Sequence, residues 1–216
     1  MDIGEMLGSS FTYAKEGLIG EWKRWALLLI STIIFPFLYG YLLRIYRGAV
    51  PAPDPDDWVK MFVDGILMIV IGFIYAIPVI IVAMVLMGAS IFALIANPES
   101  AAGMGGMIVG ILVTLILALI ISLISNFALI RFAREGKFGE AFNLKAILAV
   151  ISKVGWLHYF IAVLVFGIIT TVIMMALQFI PFIGFILYLI ALPFIAVWSA
   201  RYITLIYESG APADNW

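Results

Sequence analysis

Residues 107–132 read MIVGILVTLILALIISLISNFALIRF, and the twenty-four that precede Arg131 include no Asp, Glu, Lys, Arg or His. As an α-helix such a stretch is about 36 Å long, enough for a hydrocarbon core of about 30 Å. Its later half carries Ser122, Ser125 and Asn126, groups suited to hydrogen bonds between packed helices. Gly106 and Gly110 form a small-xxx-small pair that lets a neighbouring helix come close.

Four other runs share this character: Trp25–Tyr46 with Pro36 inside it, Gly65–Ala96 with Pro78, Trp156–Leu177, and Phe182–Ile206. The whole 216-residue chain is 65% hydrophobic and 12% charged, with a mean hydropathy of +1.20. A soluble domain carries about 25% charged residues, so the solvent of this chain is lipid. The expected fold is an all-α integral membrane protein of about five hydrophobic segments, a single polytopic domain over 1–216 with a polar C-terminal tail at 208–216. The run 65–96 is about 48 Å long as a straight helix, so it must tilt, bend at Pro78, or leave the bilayer near Gly88–Ser90.

Three amphipathic stretches flank the runs. In the first, Ile3, Met6, Leu7, Phe11, Ala14 and Leu18 recur at helical spacing, after Asp2 and Glu5 in capping-box positions. The second follows the turn-rich GAVPAPDPDD at 48–57 and puts Trp58, Met61 and Phe62 on one face. The third is 134–153. All three read as helices lying in the membrane interface.

Three segment ends are alike: GYLLRIYRG around Arg44, NFALIRFAREG around Arg131, and WSARYITLIYESG around Arg201. Each has an aromatic shortly before the arginine and a glycine after it. This gives a pseudo-threefold repeat with units at about 1–48, 54–136 and 137–210, each an interfacial helix followed by a membrane hairpin. Arginine and aromatic side chains at segment ends anchor a helix at headgroup level. The candidate lipid-headgroup and anchor residues are Arg44, Arg47, Trp58, Lys60, Arg131, Arg134, Lys137 and Arg201.

Charge sets the orientation. The loops 97–106 and 178–181 contain none of the twelve Lys and Arg residues. By the positive-inside rule the other face, with loops 48–64 and 134–153, is cytoplasmic. If Trp25–Tyr46 spans once, Lys15, Lys23 and Arg24 lie outside. If it is re-entrant, all the basic residues lie inside, and the re-entrant or strongly tilted form is preferred because charge and repeat agree.

The combination YGYLLRIYRG (39–48), PDPDDW (53–58), MFVDG (61–65) and YAIP (75–78) resembles a family of archaeal membrane proteins, common in methanogens, known as a domain of unknown function. The resemblance implies a polytopic helical fold in an archaeal cell membrane and brings no catalytic residue with it.

The chemistry that the sequence supports is narrow. The absence of cysteine excludes disulfides and thiolate metal sites. His158 is the single histidine and sits near a segment start, where an interfacial role is expected. Asp57, Lys60 and Asp64 have spacing that could hold a hard cation, though capping and solvating a turn is the commoner use. No metalloprotease or phosphate-loop motif occurs, and the middles of the runs lack the ionisable groups of a proton relay. With net charge −1, no nucleic-acid partner is indicated. The expectation is a non-enzymatic membrane scaffold or accessory subunit with no cofactor and no metal. Its partners are membrane lipids, with a protein partner or a second copy left open. The alternative is a small transporter for an apolar or lipidic solute, with its route between repeats.

Overall fold

The structure, a computed structural model, describes residues 2–211. Among these every regular element is helical: α1 (Ile3–Leu18), α2 (Trp22–Ile33), α3 (Phe35–Tyr46), α4 (Trp58–Ala96), α5 (Ala101–Glu135), a 3₁₀ turn (Phe138–Phe142), α6 (Leu144–Val154), α7 (Trp156–Gln178) and α8 (Gly184–Gly210). Residues 212–216, most of the expected polar tail, lie outside the described residues, and 208–210 complete α8.

Four helices, α4, α5, α7 and α8, are long and apolar enough to cross a bilayer. The fifth expected segment is not one helix. Trp25–Tyr46 divides at Ile34 (φ −109°, ψ 82°) into two helices of 12 residues each, about 18 Å apiece and too short to span. Pro36 sits in the first turn of α3. It has no N–H to donate to the preceding turn, so α2 cannot run on through it, while its fixed φ suits the start of α3.

Two expected interfacial stretches also take a different form. The segment around Trp58 and Phe62 is the first turns of α4, which continues for 39 residues through Pro78. The 134–153 stretch is the end of α5, a 3₁₀ turn and the short helix α6. Asn143 opens α6, its side-chain oxygen accepting from the Ala146 N–H at 3.3 Å.

The chain divides into two compact units. One is Val70–Asn126, the later part of α4, the connection and the earlier part of α5. Small residues hold that hairpin together. A Cβ on Gly106 would lie 2.7 Å from Ser90 Oγ, one on Gly103 2.8 Å from Leu94, and one on Gly110 3.2 Å from Leu86. In hydrocarbon, where apolar burial drives nothing, such close backbone approach supplies the packing. The Ser100 hydroxyl accepts from the Gly103 N–H at 3.0 Å and caps α5.

The other unit comprises the chain up to Ile69 and from Phe127 onward, and it holds the dense core. The buried stripe of α1 (Met6, Ser10, Ala14, Gly17 and Leu18) packs largely on α8. Trp198 Nε1 donates to Ser10 Oγ at 3.0 Å, and Phe11 meets Trp198 edge-on at 5.2 Å. The amphipathic face of α1 is thus filled by protein. Farther along α8, Tyr202 stacks on Phe166 and Tyr207 meets Phe127 edge-on. Ile147, Val150 and Ile151 turn the buried face of α6 inward.

Candidate functional site at the root of the α2–α3 hairpin

Helices α2 and α3 form a hairpin whose two ends reach the same loop. Near the start of α2, Arg24 pairs with the Asp54 carboxylate at 2.8 Å and donates to the Gly17 carbonyl at 2.6 Å. Near the end of α3, Arg44 donates to the Asp54 carbonyl at 2.8 Å and the Asp56 carbonyl at 2.6 Å, and it pairs with the Asp56 carboxylate. The opposite end of the hairpin is apolar and open, with Ile33 78% and Phe35 62% exposed.

The other arginines are held in the same manner. Arg47 pairs with Asp64 at 2.8 Å and donates to the Ala133 carbonyl. Arg134 pairs with Glu208 at 2.5 Å, donates to the Tyr46 carbonyl, and lies over the Tyr207 ring. Arg131 donates to Glu140 at 2.6 Å, with Glu135 at 3.4 Å. Arg201 lies over the Tyr13 ring, its Nη1 4.0 Å from Glu208. Four of the five arginines expected at headgroup level, Arg44, Arg47, Arg131 and Arg134, are therefore bonded to groups of their own chain, while Arg201 is held by the Tyr13 ring and the more distant Glu208 carboxylate. Of the remaining candidates, Lys60 and Lys137 are exposed, and Trp58 is exposed beside Phe37.

These pairs tune the carboxylates. The Arg44 guanidinium holds the Asp56 carboxyl below the usual carboxylate range. Hydrogen bonds from Arg131 and Asn143 do the same for Glu140. Burial pushes the Tyr13 phenol up to about 12.

Sequence reasoning did not single out Glu140 or Glu208, and it did not pair Arg24 with Asp54. The available signal was the near-equality of thirteen acidic and twelve basic residues in so apolar a chain. Asp57 and Asp64 do not converge on a cation: Asp57 accepts from the Lys60 N–H at the start of α4, and Asp64 pairs with Arg47. Among the described residues no group of three or more His, Asp or Glu side chains is placed to hold a metal.

Three hollows border this root. A cleft of about 650 Å³ is lined by Glu21, Lys23, Arg24, Asp56, Asp57 and Trp58, among others. A second of about 650 Å³ includes Arg47, Lys60, Arg134 and Glu208. An apolar groove of about 370 Å³ runs between Phe37 and Trp58, Val59, Phe62 and Val63.

Four long apolar helices and a root of ion-paired arginines define a multi-pass helical membrane protein. The family model described as protein of unknown function, DUF4013, matches residues 25–182, and the chain belongs to that family. No curated protein and no solved structure matches it.

Proposed function

We propose that the protein is a non-enzymatic membrane scaffold or accessory subunit that contacts lipid headgroups, or a partner, through its basic cytoplasmic face. The observation that carries this reading is the α2–α3 hairpin. Arg24 and Arg44 root both its ends on the 54–56 loop, while Ile33 and Phe35 stand exposed at its tip. A hairpin of that form suits a re-entrant insertion, with its ends at headgroup level and its tip among acyl chains.

The positive-inside rule puts the rooted face in the cytoplasm. Arg44 and Arg131 stand near the ends of α3 and α5, and Gly48 and Gly136 follow those helices at positive φ, which is in keeping with the repeat for two of its three units. In this reading the arginines fix the platform, and Lys23, Lys60, Lys137 and Trp58 touch the headgroups. The resemblance to archaeal proteins would place it in an archaeal cell membrane.

Reconstitution into anionic and neutral vesicles tests the proposal by hydrogen exchange of residues 54–64 and 138–154. Anionic lipid is expected to slow exchange there at low salt, with the effect lost near 0.5 M salt. Equal exchange in both vesicles overturns it.

A further inference from the structure

We infer that the cleft at Lys23 and the apolar groove at Phe37 form one binding site for a single zwitterionic phospholipid with a primary-amine headgroup. The inference rests on the lipid-contacting reading above and adds to it a stoichiometric ligand.

The two hollows share a wall, because Trp58 lines both. Its ring lies 5.3 Å from that of Phe37, and Phe37 lies 5.2 Å from Phe62. Along α3, Phe37 is seven residues before Arg44, about 10 Å farther from the root. Phe62 is one turn, about 6 Å, beyond Trp58 on α4. The groove therefore descends from the charged cleft in the direction of the hairpin tip. Its lining residues Phe37, Trp58, Val59, Phe62 and Val63 carry no charge, whereas the cleft is lined by Glu21, Lys23, Arg24 and the aspartates of the 54–57 loop. A charged cleft beside an open apolar groove suits a molecule with a charged head and an acyl tail.

The charges in the cleft decide which head. Arg24 is bonded to Asp54 and the Gly17 carbonyl, and Asp56 is bonded to Arg44. Lys23, Glu21 and Asp57 also line the cleft, and none of them has an ion-pair partner among the described residues. Lys23 and two carboxylates that lack an ion pair, Asp57 accepting only the Lys60 N–H and Glu21 standing in the field of the already bonded Arg24, complement a phosphate that carries an ammonium. A purely anionic head would bring its phosphate to Lys23 and find the carboxylates unopposed. A quaternary ammonium would fit the charge but could donate no hydrogen bond to Glu21.

Native mass spectrometry of the full chain, released from detergent with equal amounts of dioleoyl phosphatidylethanolamine, phosphatidylglycerol and phosphatidylcholine, tests this. One phosphatidylethanolamine is expected to be retained about tenfold more than either competitor. Glycerophosphoethanolamine, which has the head but no tails, is expected not to be retained. The exposed-site variant Lys23→Ala should lower retention of all three lipids, and Glu21→Gln should remove the preference for the amine. Retention that ignores both headgroup and variant, or no retention, overturns the site. That result leaves the salt-sensitive vesicle contact standing. Loss of the vesicle effect with a retained amine lipid would instead refute the scaffold reading alone.

Discussion

Gly40 of α3 lies against the backbone of Met61 in α4 so closely that a Cβ on Gly40 would fall 1.7 Å from the Met61 carbonyl oxygen. One turn away the contact is repeated in reverse, with Gly65 of α4 against the Pro36 carbonyl at 1.8 Å by the same measure. Each helix thus supplies a glycine and, four residues earlier, a carbonyl. The antiparallel crossing brings each glycine onto the other helix's carbonyl. This double contact seats the broken hairpin on a spanning helix.

Gly40→Ala or Gly65→Ala is expected to lower thermal stability in mild detergent, because the obstructing atoms are backbone and cannot rotate away. Overpacking of this kind costs about 1–3 kcal/mol or more. Gly72→Ala, where nothing lies within 4 Å of the added carbon, serves as the control and should be neutral or slightly stabilising, by up to about 1 kcal/mol. Size-exclusion profiles after stepwise heating measure both. Equal melting of Gly40→Ala and Gly72→Ala would refute the crossing.

The Arg134 side chain is only 7% exposed, and its partner Glu208 lies 74 residues farther along the chain. Arg134→Met leaves the Glu208 carboxylate facing Arg201 alone and the Tyr46 carbonyl without its guanidinium. Removing one member of a largely buried pair costs about 3–5 kcal/mol. The double variant Arg134→Met with Glu208→Met should recover a substantial part of that loss. A double-mutant cycle on melting temperature reads the coupling, and simple additivity would count against the pair.

Acid should loosen the root before it unfolds the spanning helices. Asp56 and Glu140 have lowered pKa values in the folded protein. Their contribution is therefore complete above the ordinary carboxylate pKa of about 4 and is lost as pH falls through the lower folded values. Asp56 is exposed and Glu140 partly so, and the effect is expected as local opening. Hydrogen exchange of residues 50–57 and 137–143 should quicken in protein exposed to pH about 3 relative to pH 6, after correction for intrinsic rates. Spanning segments should change little.

Sidedness is open to direct labelling, since the chain has no native cysteine. Ser9 is an exposed position on α1, and Ser100 lies in the lysine- and arginine-free connection before α5. Ser9→Cys is expected to react with a membrane-impermeant maleimide from the cytoplasmic side and Ser100→Cys from the opposite side. Labelling of both from one side would reverse the charge argument.

The long elements were legible because their signal is local. An uncharged apolar run specifies a spanning helix residue by residue, and α7 begins at Trp156 as its sequence indicates. The disposition of α1 was half legible: the periodicity gave the helix and its apolar face, but not that α8 would cover that face. Arg44 and Arg131 were visible as a pattern of segment ends. Their partners were not, because any exposed carboxylate within reach would satisfy the same sequence.

By itself the sequence determined that this chain lives in lipid, roughly where its long apolar helices run, and that Pro36 interrupts the first apolar run. These follow from hydrophobicity and backbone stereochemistry, which each short stretch carries on its own. Only the tertiary structure decided that the divided run returns to its own root, that Gly40 and Gly65 interlock with α4, and that the arginines turn inward to Asp54, Asp56, Asp64, Glu140 and Glu208. Those outcomes depend on which surfaces meet in space, and contacts such as that between residues 134 and 208 leave no periodic trace along the chain.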